Sequence, residues 1–187
     1  MLNVAMKEWA VICDLLLEGE LALLLRKGGI HERSGPGVFE LEHPQFALFP
    51  SWTHQRPEAM KPAYQDRVVV LDEPRELTVG GSAEAARIWR VPSRAAFDRL
   101  DDLHCWSAAQ IDMRFDYRPE NPIYLLALRC GRLAEPRTIL NRGEYAGCVS
   151  WVPLEPDDAV DDAGGEAVLA EAELARVISR VDEVFSG

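Results

Sequence analysis

The amino-acid sequence predicts an α+β fold in which a small curled mixed β-sheet or barrel is flanked by helices and followed by an amphipathic C-terminal helix. Helical and extended patterns both occur along the 187 residues, but their order is irregular. The connections also vary too much in length for regular βαβ units, which argues against a doubly wound parallel sheet. The chain length fits one domain with an appendage.

The first half of the chain has the pattern of one helix and several short strands. Over residues 9–17, apolar side chains recur at the spacing of one helix face, and Gly19 stands where a helix C-cap is expected. The apolar run that follows predicts a buried strand ending at Arg26. Further strands are predicted over 46–50 and 68–71, a short helix reaches Met60, and residues 72–81 are predicted to form a loop.

The second half is predicted to contain strands over 86–91, 123–130 and 150–154. Ser93 is expected to cap a helix, and a second helix is expected over 107–116. Residues 135–150 are predicted to be irregular. We expect residues 1–154 to form a single α+β domain, and residues 155–187 to form an acidic linker followed by the C-terminal helix.

The net charge of −11 is concentrated at the C-terminal end. Residues 1–60 sum to −3, residues 61–150 to 0, and residues 151–187 to −8. The body is therefore nearly neutral, which leaves room for a local basic groove but not for a broad basic face. Arg supplies 17 of the 20 cations, which suits phosphate or carboxylate binding and is equally explained by a GC-rich genome.

Several functional classes lack their sequence signals. The longest aliphatic run, residues 21–25, is far shorter than the ~20 residues that cross a bilayer, and no basic signal-peptide segment is seen, so we expect a cytoplasmic protein. Nucleotide-binding glycine motifs, zinc-protease motifs and hydrolase elbows are missing, and we expect no cofactor. No lysine has the acidic partner of a restriction-type nuclease core. The spacing of the four histidines matches no set of metal ligands, so no metal site is expected.

The first candidate site is a polar cluster at the end of the strand that reaches Arg26. Its members are Arg26, Lys27, Gly28, Gly29, His31 and Glu32. Consecutive glycines allow a sharp turn that exposes N–H groups, and two neighbouring cations suit an anion. Glu32 is then available to orient Lys27 or to accept a hydrogen bond from a base edge. The alternative is a tight turn with solvated charges.

The second candidate site follows the strand at 46–50. Trp52, His54 and Gln55 come directly after that strand, and loops at strand ends are common binding positions. Trp52 would stack on a planar group while His54 and Gln55 read its edge. The alternative is that Trp52 packs in the core and His54 caps a helix.

Three segments resemble the bacterial and archaeal family called domain of unknown function 1802. They are KEWAVICDLLLEGELALLLRKGGIHE, FALFPSWTHQRPE, and IYLLALRCGRLAEPRTI followed by YAGCVSWVPL, so that the resemblance covers about residues 6–154. Members of that family are sometimes joined to restriction-endonuclease-like domains. The resemblance therefore implies, by association, a role near restriction or defence systems.

A second resemblance is to PUA-like barrels of the ASCH and EVE types. In those domains a helix ending at Gly is followed by a strand with a Gly/Lys/Glu/Arg cluster, and a late strand precedes a closing Trp. Here Gly19, Lys27, Glu32 and Trp151 follow that order. The spacing departs from the family, because Lys27 and Glu32 are five apart rather than three. The resemblance implies binding of RNA or modified bases or, in some members, hydrolysis of amides on modified nucleosides.

Three functions follow from these observations. The favoured one is a module that binds nucleic acid, a nucleotide or a modified base through the two candidate sites. The alternative from another class is a small hydrolase, with Lys27 as nucleophile or base and Glu32 or His54 moving the proton. The third is a protein-interaction module whose acidic C-terminal helix docks on a partner.

Overall fold

The computed structural model describes residues 1–187, which form one seven-stranded sheet with five helices. The strands are β1 (Val4–Trp9), β2 (Leu23–Arg26), β3 (Gln45–Ser51), β4 (Glu76–Arg90), β5 (Tyr124–Leu140), β6 (Trp151–Pro153) and β7 (Glu166–Ala167). The helices are α1 (Ala10–Glu18), α2 (Pro62–Gln65), α3 (Arg94–Asp98), α4 (Ala108–Asp116) and α5 (Glu171–Ser186).

The sheet is mixed and has the strand order β2-β5-β4-β3-β1-β6, with β7 paired to β5. Only β1 and β3 run parallel, and every other pair is antiparallel. The pairing of β4 with β5 is interrupted between Val79 and Gly81 and again between Ala85 and Arg87. Such irregularities bend a strand pair and increase its twist, which favours a curled sheet. The predicted α+β class with a curled mixed sheet is confirmed.

The sequence patterns missed strand β1. They placed Trp9 on a helix, whereas Trp9 ends β1 and the helix begins at Ala10. β1 lies between β3 and β6, and Val4, Ala5 and Met6 are all buried. Because this strand is covered on both faces, it lacks the alternating pattern that identifies a half-exposed strand.

Two predictions for residues 68–81 were also wrong. The predicted loop at 72–81 contains the start of β4, whose Leu77 and Val79 are buried. The predicted strand at 68–71 is irregular, and Val69 and Val70 are exposed. A short apolar run does not reveal by itself whether a partner strand is available to it.

The predicted helix boundaries rest on the expected caps. The Ser93 hydroxyl accepts a hydrogen bond from the Ala96 N–H at 3.1 Å, and Ser107 does the same for the Gln110 N–H at 3.3 Å. Gly19 ends α1 in the left-handed conformation, with φ of 81°.

Two apolar clusters hold the fold together. The larger contains α1, β2, the centre of β5 and helix α5, which contributes buried Leu174, Val181 and Val184. The smaller contains Phe49, Tyr145 and the far ends of β4 and β5. No helix is both long and apolar enough to span a membrane.

The curl of the sheet brings β2 against β1, although three other strands separate them in the sheet order. The Arg26 side chain crosses this gap: its Nη1 donates to the Lys7 carbonyl oxygen at 3.2 Å and to the Glu8 carboxylate at 2.7 Å. β1 and β2 form no ladder of backbone hydrogen bonds. We call this unpaired junction the seam, and the candidate site lies along it.

Candidate functional site

A cavity of about 210 Å³ opens at the seam. Both segments predicted from the sequence contribute to it, with Arg26, Lys27, Gly28 and Gly29 on one side and His54 on the other. The rest of the lining is Lys7, Glu8, Trp9, Ser51, Thr53, Arg114, Gly147, Cys148, Val149 and Ser150. We call this space the seam cavity.

The glycine pair is required by close packing at the cavity wall. Gly28 has φ of 73°, and a Cβ there would lie 2.7 Å from the Val38 carbonyl carbon. A Cβ on Gly29 would lie 2.2 Å from the Cys148 carbonyl oxygen. The Gly29 N–H donates to the Glu32 carboxylate at 2.6 Å, whereas the Gly28 N–H donates to no protein acceptor. Of the two exposed amides that the sequence predicted, one is therefore free.

Arg26 and Glu8 form a buried ion pair at the base of the cavity. Their side chains are 11% and 4% exposed, and Nη1 lies 2.7 Å from the Glu8 carboxylate. Nη2 of Arg26 donates to the Ser150 hydroxyl at 2.5 Å, which links β2 to the segment before β6. The Arg26 Nε is buried and has no hydrogen-bond partner. A buried donor without a partner is unusual and calls for an explanation.

Arg114 supplies a second unpaired donor. Its guanidinium lies over the Trp106 ring at 4.6 Å, and Nη1 donates to the Leu25 carbonyl oxygen at 3.3 Å. Burial lowers the pKa of this guanidinium, and its Nε has no partner. Arg114 does not pair with Asp112 on the same helix, because Asp112 pairs with Arg94.

Two lysines lie at the cavity with lowered pKa values, in both cases because of burial. The Lys7 Nζ donates to the carbonyl oxygens of Tyr145 and, at 3.1 Å, of Gly147, and the charge of Glu73 partly opposes the fall in its pKa. An ammonium has three donors, so one N–H of Lys7 is left over. The Lys27 Nζ lies 3.4 Å from the Phe115 carbonyl oxygen.

A carboxylate from another loop holds the 51–54 segment in place. Glu73 accepts hydrogen bonds from the hydroxyls of Ser51 and Thr53 and from the N–H groups of Trp52 and Thr53. These bonds outweigh the effect of burial and lower the pKa of Glu73, so that it is ionised at neutral pH. Next to the residues that Glu73 holds, His54 adopts φ of 64°, which is uncommon for a residue with a side chain. The exposed His54 ring is thus held at the cavity mouth.

The charges and donors of the seam cavity favour an anionic ligand. Four Lys or Arg residues line it, against one carboxylate, in a chain whose net charge is −11. The carboxylate of Glu8 is already paired with Arg26. The buried side-chain atoms of the lining that lack a partner are both donors, the Nε of Arg26 and the Nε of Arg114, and the N–H of Gly28 is also free.

Several residues predicted for the site lie outside the cavity. Trp52 packs on the smaller apolar cluster, and the Gln55 amide is buried and donates to the Val69 carbonyl oxygen. His31 is exposed, and its N–H donates to the Cys148 carbonyl oxygen at 3.2 Å. Glu32 supports the wall by accepting from the Ser150 hydroxyl as well as from Gly29. These four predicted site residues therefore do not line the seam cavity.

Sequence reasoning also missed part of the lining. Lys7, Glu8 and Trp9 were overlooked because no strand was predicted before residue 9 and Trp9 was placed on a helix. Trp9 is the aromatic residue that does reach the cavity, and its ring packs edge-on against Trp106 at 5.3 Å. The only available signal was the family resemblance, whose quoted segments include KEW and YAGCVSW. No group of three or more His, Cys, Asp or Glu side chains is placed to hold a metal ion.

The family model of DUF1802, described as a domain of unknown function, matches residues 5–180. The chain belongs to this family. The match extends beyond residues 6–154, where the resemblance was first seen, and includes the acidic segment and most of α5. DUF1802 as a family carries no stated activity.

The comparison with solved structures found a likeness to a crystal structure of ASCH from Zymomonas mobilis. The TM-score is 0.48 with 13% sequence identity, and the alignment covers 83% of this chain and 89% of that one. ASCH is also one of the two types of domain that the sequence resembles. At this TM-score the likeness transfers no residue roles to this DUF1802 protein. The search of curated proteins gave no match.

Proposed function

We propose that this DUF1802 protein binds single-stranded nucleic acid or a nucleotide through the seam cavity. A phosphate would occupy the donor-rich interior beside Arg26, Arg114 and Gly28. Charge-assisted hydrogen bonds from guanidinium and backbone N–H groups are the usual means of holding a phosphate. The observation that carries this proposal is the lining of the cavity, in which four Lys or Arg residues and the free Gly28 N–H stand against one carboxylate that is already paired with Arg26.

A base would lie at the cavity mouth rather than inside it. The exposed His54 ring and the half-buried Trp9 ring are the flat surfaces there. Base stacking on aromatic rings tolerates any base, so this part of the site would confer little sequence selectivity. In this proposal Trp9 takes the stacking role that the sequence predicted for Trp52, and His54 stacks on the base instead of reading its edge with Gln55.

Fluorescence anisotropy with labelled single-stranded RNA and DNA tests this function. We expect saturable binding that weakens by about tenfold between about 50 and about 200 mM salt, as two or three phosphate contacts on a single strand require. Lys7→Gln removes a cavity cation and should weaken binding by about tenfold. His54→Gly keeps the positive φ accessible, removes the ring, and should weaken binding to a smaller extent.

Lys61→Gln is the matched control, because Lys61 pairs with Asp101 away from the cavity. Circular dichroism establishes that each variant is folded before binding is measured. Salt-independent binding, or equal affinities for Lys7→Gln, His54→Gly and Lys61→Gln, would overturn the proposal.

A hydrolase is the second candidate, and one observation favours it: burial lowers the pKa of Lys27, as expected for a nucleophile or general base. The predicted proton carriers are less well placed. The Glu32 carboxylate is occupied by Gly29 and Ser150, and the Lys27 Nζ bonds the Phe115 carbonyl oxygen. Turnover of a nucleoside amide that survives in Lys27→Met would exclude Lys27 as its nucleophile or base, and the absence of turnover on any nucleoside amide would eliminate the hydrolase.

A link to restriction or defence systems is implied by the family resemblance alone. It predicts that DNA carrying a modified base binds with an affinity different from that of unmodified DNA.

A protein partner for the acidic C-terminal helix would have to contact the polar face of that helix, because Leu174, Val181 and Val184 are buried against this chain.

A further inference from the structure

A second cavity, of about 380 Å³, adjoins the seam cavity. The two have Lys7, Thr53, Gly147 and Cys148 in common, so they are neighbouring parts of one groove that passes between the 51–54 and 145–148 segments. The far part of this groove is lined by Arg75, Asn141 and Arg142, among others. We call the second cavity the side cavity.

The side cavity continues the positive character of the seam cavity. Together the two are lined by six Lys or Arg residues and two Glu residues. The carboxylate of Glu73 is surrounded by donors from Ser51, Trp52, Thr53 and Asn141, which reduce its effect on a nearby anion.

Arg75 is the free cation of the side cavity. It is exposed and forms no ion pair. Arg142 is less available, because its Nε lies 2.8 Å from the Asp158 carboxylate. The guanidinium of Arg75 is therefore the group best placed to bind a second anion along the groove.

The size of the seam cavity also indicates that a nucleotide ligand extends beyond it. At about 210 Å³ it is smaller than the roughly 300–1,000 Å³ that enclose a drug-sized molecule. It has room for one anionic group with part of a base or sugar, so a larger ligand must extend out of it. The side cavity offers a lined path for that extension.

We propose that the groove formed by the two cavities binds a single strand across at least two successive nucleotides, with one phosphate in the seam cavity and the next at Arg75. This inference rests on the proposed function and deepens it, because it assigns the ligand class as a strand rather than a free nucleotide. The shared Lys7 lies between the two phosphate positions.

Ligand length tests the inference. Affinities for a 5′-mononucleotide, a 5′-phosphorylated dinucleotide and a longer 5′-phosphorylated RNA strand are measured by competition against a labelled strand. We expect the dinucleotide to bind about tenfold more tightly than the mononucleotide, because it adds one charge-assisted contact. The further gain from dinucleotide to longer strand should be smaller.

Arg75→Gln separates the two subsites. This change should remove most of the gain from mononucleotide to dinucleotide, leave the mononucleotide affinity unchanged, and reduce the salt slope for the strand by about 0.7. The matched control is Arg132→Gln, since Arg132 is an exposed arginine on β5 that lines neither cavity.

The outcomes distinguish this inference from the proposed function. One outcome is that mononucleotide and dinucleotide bind with equal affinity, that Lys7→Gln weakens both, and that Arg75→Gln changes neither. This outcome supports binding at the seam cavity and overturns the extended groove. If no ligand binds, or Lys7→Gln affects none of them, both proposals are overturned. A loss in Arg132→Gln as large as that in Arg75→Gln also contradicts the groove.

Discussion

The seam cavity and the face of the sheet covered by α5 differ in whether their charged and polar groups find partners within the chain. At the covered face, Arg129 holds the Glu171 carboxylate with two bonds of 2.5 and 3.0 Å and reaches Glu84 at 3.0 Å. The Trp89 Nε1 donates to Asp182 at 2.7 Å. At the seam cavity, the Nε atoms of Arg26 and Arg114 are buried without acceptors. The covered face is complete within this chain, whereas the seam cavity has donors left for a ligand.

This difference separates a structural surface from a functional one. Helix α5 buries its apolar side chains and pairs its charges near the rim of the contact, where such pairs cost little. The seam cavity instead keeps polar groups away from water, which lowers stability unless a partner is bound. We infer that the cavity is retained for binding, and the predictions below measure each side of the comparison.

The largest effect is expected from Arg26→Ala. It removes the partner of the buried Glu8 carboxylate, and loss of one member of a buried ion pair costs about 3–5 kcal/mol in the free energy of unfolding. Urea denaturation measures this change. The double variant Glu8→Gln with Arg26→Met removes both charges and should recover most of the loss. A loss below about 1 kcal/mol for Arg26→Ala would mean that the pair is effectively solvated.

Leu174→Ala tests the covered face. Leu174 is 3% exposed on α5, and truncating a buried leucine costs about 2–5 kcal/mol. We expect a loss of about 3 kcal/mol in the same denaturation assay, with nucleic-acid affinity unchanged at a temperature where the variant is folded. Reduced affinity in the folded variant would show that α5 contributes to the site and would remove the contrast between the two regions.

His104, which lies in neither region, also has a buried nitrogen without a hydrogen-bond partner. The Nδ1 of His104 accepts from the Trp106 N–H at 3.2 Å, while its Nε2 has no hydrogen-bond partner and lies 3.6 Å from the Asp101 carboxylate. Burial lowers the pKa of His104 from 6.5 to about 4. The unfolded chain therefore binds a proton at a pH where the folded chain does not, and stability is lost as the pH falls from about 6.5 towards 4.

We expect the free energy of unfolding to drop by about 2 kcal/mol between pH 7 and pH 5 through His104. His104→Asn keeps an acceptor near the Nδ1 position and should flatten this part of the pH profile. Denaturation curves at the two pH values measure the effect. An unchanged profile in His104→Asn would assign the pH dependence to other groups.

The smallest change is expected from Glu171→Gln at the covered face. Glu171 is largely exposed and Arg129 is partly exposed, and Arg129 retains its bond to Glu84. Exposed pairs add little to stability because solvent screens them. Urea denaturation should show a change in the free energy of unfolding that is close to the experimental error. A large shift would mean that α5 is held by this pair rather than by its apolar side chains.

The parts of the fold that were predictable depend on local chemistry. Ser93 and Gly19 were recognised because caps act within a few residues, and the α5 pattern follows from one helix face. β1 was not recognised, because a strand buried on both faces shows no alternation. The length of β4 was also missed, since Glu76 to Gly80 become a strand only through pairing with distant residues of β5.

The same division applies to the candidate site. The polar cluster at Arg26 to Gly29 and the His54 loop stood out because unusual residue types occur together at strand ends. Trp52 and Gln55 were chosen by chemistry alone, and their direction depends on the packing of a loop held by Glu73 from elsewhere in the chain. Lys7 reaches the cavity because the sheet curls, and Arg114 because α4 packs beside Leu25 and Trp106. No local sequence pattern predicts either contact.

Side-chain and backbone N–H signals in proton–nitrogen correlation spectra test the central claim most directly. A short 5′-phosphorylated single-stranded RNA is titrated into the labelled protein, and the Nε–H signals of Arg26, Arg114 and Arg129 are followed together with the Gly28 amide. We predict that the signals of Arg26, Arg114 and Gly28 move and saturate together, while that of Arg129 stays fixed. Saturating shifts at Arg129 with none at Arg26, Arg114 or Gly28 would place the ligand elsewhere and contradict the account.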